Sequence, residues 1–141
     1  MSEIYFFKED CQIDLRKLKK YKAWLKKLAN LYSYEILELN YIFCSDKYLH
    51  KINLDYLNHD TYTDIITFDL GEESENKEIE SDIFISLERV KENAAKLNSL
   101  WTEELSRVMA HGLLHLVGFK DKTDSEQKEM RLAEDQALEL L

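Results

Sequence analysis

Apolar residues recur along the chain with two alternating periods, and the alternation predicts the order of elements. Ile4 to Phe7 is a short β-branched and aromatic run that reads as a strand. Asp14 stands at the cap of a helix, because Leu15, Leu18, Tyr21, Trp24, Leu25 and Leu28 fall at three- and four-residue spacings. The period then shortens: Ile36, Leu37, Leu39, Tyr41 and Phe43 predict a second strand over residues 35–43. Ser45 and Asp46 end it and open a helix through Leu49, Ile52, Leu54 and Leu57. Residues 65–70 and 83–87 read as two more strands placed to form a hairpin. The acidic stretch between them, residues 71–80, is expected to be the most exposed and mobile part of the chain. Helical spacing resumes over residues 88–98, 102–116 and 125–141. The sum is an α/β (α+β) layer fold, a small four-stranded sheet packed with about five helices.

Composition adds few constraints. With 141 residues, no proline, three glycines and no Gly/Ser linker, the chain reads as one domain over residues 1–141. No stretch approaches the roughly 20 apolar residues that cross a bilayer, and charge appears within the first ten residues. The expectation is therefore a cytoplasmic protein without a membrane partner. Cys11 and Cys44 offer neither a disulfide framework nor a CxxC knuckle and read as buried small hydrophobes. A formal charge of −9 opposes nucleic-acid binding in general. Its distribution is uneven, however: Arg16, Lys17, Lys19, Lys20, Lys22, Lys26 and Lys27 crowd one segment, while acids gather over residues 72–80 and near the C-terminus. Either these lysines solvate the outer face of a helix, or they form one basic face on an acidic protein.

Chemistry concentrates on the helix in the C-terminal half. Side chains four residues apart on a helix share a face, so His111 and His115 can aim two imidazoles at one point. Gly118 suits the left-handed residue that ends such a helix, after which the chain can return Asp121 to the same point. Three protein ligands leave a position open, as in catalytic rather than structural zinc sites. One Zn2+ per chain is expected; the carboxylate also admits a harder ion such as Mn2+. The competing reading of two such histidines is a pair of core residues with satisfied ring nitrogens. Two of the three glycines weigh against it, since Gly112 costs about 1 kcal/mol relative to alanine in a helix and something must require it. Backbone or substrate passing close to the metal would supply the reason.

A second cluster, His59, Asp60, Thr63, Asp64, Thr67 and Asp69, surrounds the start of the third predicted strand, where active-cleft residues and ordinary turn and cap residues both occur. Ser81 and Asp82 at the fourth strand are open to the same two readings.

The run HGLLHLVGFKD over residues 111–121 resembles the signature HGxLHLxGYDH of the YbeY-type endoribonucleases, factors of ribosomal RNA maturation. Asn53, Tyr56, Asp60 and TDIITF over residues 63–68, with SDIFIS over residues 81–86, resemble two further segments of that family. The resemblance implies a mixed sheet and a metal-dependent nuclease for single-stranded RNA. It also implies an rRNA precursor or small ribosomal subunit as partner, with a role in 16S 3'-end maturation and ribosome quality control. Asp121 stands where the family has a third histidine, and Leu57 where it has an arginine; Lys120, Lys122 or His59 are candidates to replace that cation at phosphate. His59 and Asp64 are the candidates for general base. Two rivals remain: a ribosome-assembly binding factor whose metal is structural, and a zincin-like protease, which lacks its glutamate because Gly112 occupies that position.

Overall fold

The computed structural model describes residues 3–59, 61–71 and 77–141. Four strands, β1 (Glu3–Lys8), β2 (Glu35–Cys44), β3 (Ile65–Asp69) and β4 (Glu78–Ser86), form one sheet in the order β1-β2-β4-β3. The first two pairings are parallel and the last antiparallel, so the sheet is mixed. Among the described residues five α-helices accompany it: α1 (Tyr21–Leu31), α2 (Asp46–Leu57), α3 (Leu87–Lys96), α4 (Trp101–Leu116) and α5 (Asp124–Glu139).

Strand alternation sorts the core into two layers. Leu39, Tyr41 and Phe43 of β2 and Ile83 and Ile85 of β4 face one side, where they join Trp24, Leu25 and Leu28 of α1 and Leu105, Met109 and Leu113 of α4. Ile66 of β3 and Cys44 face the other, beneath Leu49 and Ile52 of α2, with Phe68 and Phe84 half-buried beside them. The polar tips of the large residues are satisfied: Trp24 Nε1 donates to the Ala137 carbonyl (2.8 Å) and Tyr41 Oη to that of Met109 (2.9 Å). Helix α4 thus lies flat on the sheet with α1 and α3 beside it and α5 against its outer side.

Three features differ from the periodic reading. Asp14 caps a 3-10 turn, Leu15–Leu18, rather than the long helix; the side chains of Leu15 and Leu18 eclipse in that geometry, so their spacing fits both structures. Strand β4 begins at Glu78, five residues before the first predicted position, because β2 pairs with it from Glu35 onward and tertiary pairing overrides the charges. Of the acidic stretch expected to be exposed and mobile, residues 78–80 are therefore strand, and residues 72–76 lie outside the described residues. On α2 the buried face is Leu49, Ile52 and Asn53, while Leu54 and Leu57 are exposed. Cys44 is buried and Cys11 half-buried, both as free thiols; burial pushes the Cys44 thiol up to about 12.

Candidate metal centre

The last turn of α4 and the loop after it build a cluster of donors. His111 and His115 sit one turn apart, their Nε2 atoms 3.0 Å from each other. Gly118, at φ 111°, reverses the chain: its N–H donates to the His115 carbonyl (3.1 Å) and that of Phe119 to the Leu114 carbonyl (3.0 Å). This is the paired bonding of a Schellman cap, which closes the helix and turns the chain back on it. Phe119 then lies edge-on to Tyr32 at the end of α1 (5.3 Å), anchoring the loop that carries Asp121. Asp121 Oδ2 arrives 3.3 Å from His111 Nε2 and 3.4 Å from His115 Nε2.

These separations and the chemistry of the donors fit a metal ion. Ligand atoms about 2.0–2.1 Å from a tetrahedral zinc lie roughly 3.3 Å from one another. The outer ring nitrogens set the tautomers: His115 Nδ1 donates to the Phe119 carbonyl (3.0 Å), which can only accept, and His111 Nδ1 donates to Glu134 Oε2 (2.6 Å). When neutral, each imidazole with its proton on Nδ1 turns an Nε2 lone pair inward toward a carboxylate oxygen. Three converging lone pairs repel unless a cation sits among them. His111, His115 and Asp121 are accordingly a group that could hold a metal.

Glu134 was not anticipated from sequence. It is buried on α5, and its second oxygen accepts from Arg107 (2.9 Å), whose other nitrogen reaches Asp135 (2.7 Å). A signal existed: Met130, Ala133, Glu134 and Ala137 form the buried stripe of α5, and a carboxylate on an apolar stripe needs a buried partner. For the metal-free protein, desolvation depresses the His111 pKa, but the hydrogen bond and charge of Glu134, with Asp121 and Asp64, outweigh it and raise the value. The same field that would hold an imidazolium favours a divalent ion.

Gly112 has a different reason from the expected passage of backbone or substrate near the metal. A Cβ there would meet the Cδ1 atoms of Ile65 and Ile83, both at 3.0 Å. The glycine lets α4 lie close on β3 and β4, which sets the height of His111 over the sheet.

The donors open into a cleft of about 780 Å³ between α2, β3 and α4. His59, Thr63, Asp64, Thr67 and Asp69 line it, as do Leu57 and Lys122; Lys120 lies instead on a separate hollow with Gly118 and Glu126. Lys122 is the one Lys or Arg among the described residues lining the cleft. Burial raises the Asp64 carboxyl, against the downward pull of His111. Asn53, buried on α2, donates to the carbonyl (2.9 Å) and hydroxyl (3.1 Å) of Thr61 and so fixes the segment leading to Asp64. Asp60 lies outside the described residues. Ser81 and Asp82 serve the sheet: the Ser81 hydroxyl donates to the Phe68 carbonyl (2.7 Å), and Asp82 accepts from Asn40 (3.0 Å).

The family model described as endoribonuclease YbeY matches residues 3–141. A Cytophaga hutchinsonii protein named endoribonuclease YbeY is 56% identical over 137 residues, covering 97% of this chain and 94% of its own. A Christiangramia forsetii protein of the same name is 48% identical over 140 residues, covering 98% and 94%. The solution structure of a Thermotoga maritima protein superimposes with a TM-score of 0.68 at 28% identity, covering 97% of this chain and 87% of that one.

Proposed function

Because the chain belongs to the YbeY endoribonuclease family, we propose that it is a metal-dependent endoribonuclease that cuts single-stranded RNA at the cleft lined by His111, His115 and Asp121. One divalent ion, zinc or alternatively manganese, is held by these three side chains. When bound it supplies Lewis acidity, polarising a phosphoryl oxygen and acidifying water. The remaining work falls to residues of the chain. Glu134 and the Phe119 carbonyl keep protons on the Nδ1 atoms of His111 and His115, so both Nε2 atoms stay available. Asp64, a carboxyl raised by burial at the cleft wall, takes and returns a proton, with His59 as the other candidate. Lys122 stands in for the family arginine replaced by Leu57 and draws a phosphate into the cleft.

The observation that carries this reading is the donor triangle at the floor of an open cleft. Substrates of the proposed enzyme are rRNA precursors on or near the small ribosomal subunit, including the 16S 3' end, and its place is the cytoplasm; no described helix is long and apolar enough to cross a membrane. The test is elemental analysis of the purified protein and of His111→Ala, with cleavage assays on matched single-stranded and duplex RNAs. Near one metal per chain, with single-strand cleavage lost in the variant, is expected. Undiminished cleavage by metal-free His111→Ala would sink the proposal.

A further inference from the structure

Charge on this protein is segregated rather than mixed. Seven of its 19 Lys and Arg, and none of its 28 Asp and Glu, lie between residues 15 and 34, a span that covers the 3-10 turn, α1 and the turn leaving it. The other long helices interleave signs: α3 pairs Lys96 with Glu92, and α5 carries Lys128 and Arg131 among acids. On α1 nothing comparable exists. Among the described residues Lys17, Lys19, Lys20, Lys22, Lys26 and Lys27 form no ion pair with a carboxylate. Lys22 and Lys26 repel each other at i,i+4 spacing. A helix face that serves only for solvation gains from mixed signs; this one carries uncompensated positive charge on a strongly acidic protein.

The charged surface is shaped and continues toward the site. Arg16, Lys19 and Lys22 border a hollow of about 210 Å³ whose other walls include Tyr5 and Phe6, and Lys22 Nζ lies 5.9 Å from the centres of both rings. Helix α1 then runs roughly 16 Å to Tyr32, which packs on Phe119, two residues before Asp121. The rings of β1 beside Lys22 and the loop that carries Asp121 therefore lie at the two ends of α1.

We propose that the basic segment from Arg16 to Lys27 is a second contact for the RNA strand, holding its phosphate backbone outside the metal cleft. The inference rests on the nuclease reading above and adds a binding track to it. Single-stranded RNA matches the surface because its phosphates need dispersed cations and its bases can stack on exposed rings such as Tyr5. The track also explains how an acidic enzyme whose cleft has a single lysine retains a polyanionic substrate.

The test is fluorescence anisotropy with a labelled 20-nucleotide oligouridine over a range of salt concentrations, using the full chain in chelator so that nothing is cut. One variant carries Lys17, Lys19, Lys20 and Lys27→Gln; its control carries Lys47, Lys51, Lys91 and Lys128→Gln, with the same change of net charge. The first variant is expected to bind at least about tenfold more weakly, and its log K against log salt slope to flatten by about 0.7 for each phosphate no longer neutralised. The control is expected to stay within about twofold of the parent. Metal content of both variants, equal to the parent's, shows that they are folded. Equal weakening of the two variants, no weakening of either, or loss only of binding to anionic phosphatidylglycerol vesicles would overturn the track. Metal-dependent cleavage by the parent decides the nuclease reading separately: it survives a failed track and is absent if that reading is wrong.

Discussion

Glu134 reaches the candidate metal site through one hydrogen bond. Its carboxylate accepts from His111 Nδ1 at 2.6 Å and is braced by Arg107, so replacing it by glutamine keeps the shape and removes the charge. Glu134→Gln is expected to weaken zinc binding about 10- to 100-fold, as loss of such outer partners does, measured by competition with a chromophoric chelator. An unchanged affinity would mean that the carboxylate is only a core ion-pair partner of Arg107. Proton competition should show at His111 as well. In the metal-free protein its pKa is raised, so the imidazolium's contribution to stability is complete below the ordinary imidazole value of about 6.5 and is lost as pH rises through the raised value. A divalent ion must displace that proton. Metal affinity is therefore expected to fall as pH drops through a window above about 6.5, with proton release detectable by calorimetry in buffers of different ionisation enthalpy.

The two motif glycines act on different elements, and substitution separates them. At Gly118, a Cβ meets nothing within 4 Å, so the cost of alanine is conformational, about 1–2 kcal/mol for an L residue at positive φ. At Gly112, alanine gains about 1 kcal/mol of helix propensity but forces Ile65 and Ile83 aside, an overpacking cost of about 1–3 kcal/mol. Both variants are expected to unfold at lower urea concentration in the absence of metal. Gly118→Ala should also lose metal affinity, because the turn that returns Asp121 relaxes. Full metal affinity in Gly118→Ala would show that the loop is held by the Tyr32–Phe119 contact alone.

For the whole molecule, a metal held by His111, His115 and Asp121 would tie the end of α4 to the loop before α5, and α5 returns Glu134 to the same cluster. Binding to the folded state alone stabilises by about 4 kcal/mol at a thousandfold excess over Kd. For a chain of this size that is a rise of roughly 2–4 °C in Tm per kcal/mol. Scanning calorimetry with zinc and with excess chelator should reveal the difference; coincident transitions would exclude occupancy of this site.

Much of this was legible in order and spacing. The alternation of periods predicted the order of strands and α-helices, because apolar faces repeat every 2 or 3.6 residues and need no knowledge of their partners. His111, His115, Gly118 and Asp121 were legible for the same reason, since a helical turn and its cap act within ten residues. Other features belonged to the tertiary structure. The start of β4 at Glu78 is set by parallel pairing with Glu35, and the strand order β1-β2-β4-β3 by crossovers that no local pattern encodes. Glu134 approaches His111 from 23 residues away, and the need for Gly112 comes from Ile65 and Ile83 across the layer. By itself the sequence determined which donors could meet; only the packing of helix on sheet decided their height, their tautomers and the cleft they face, because those depend on contacts between elements far apart in the chain.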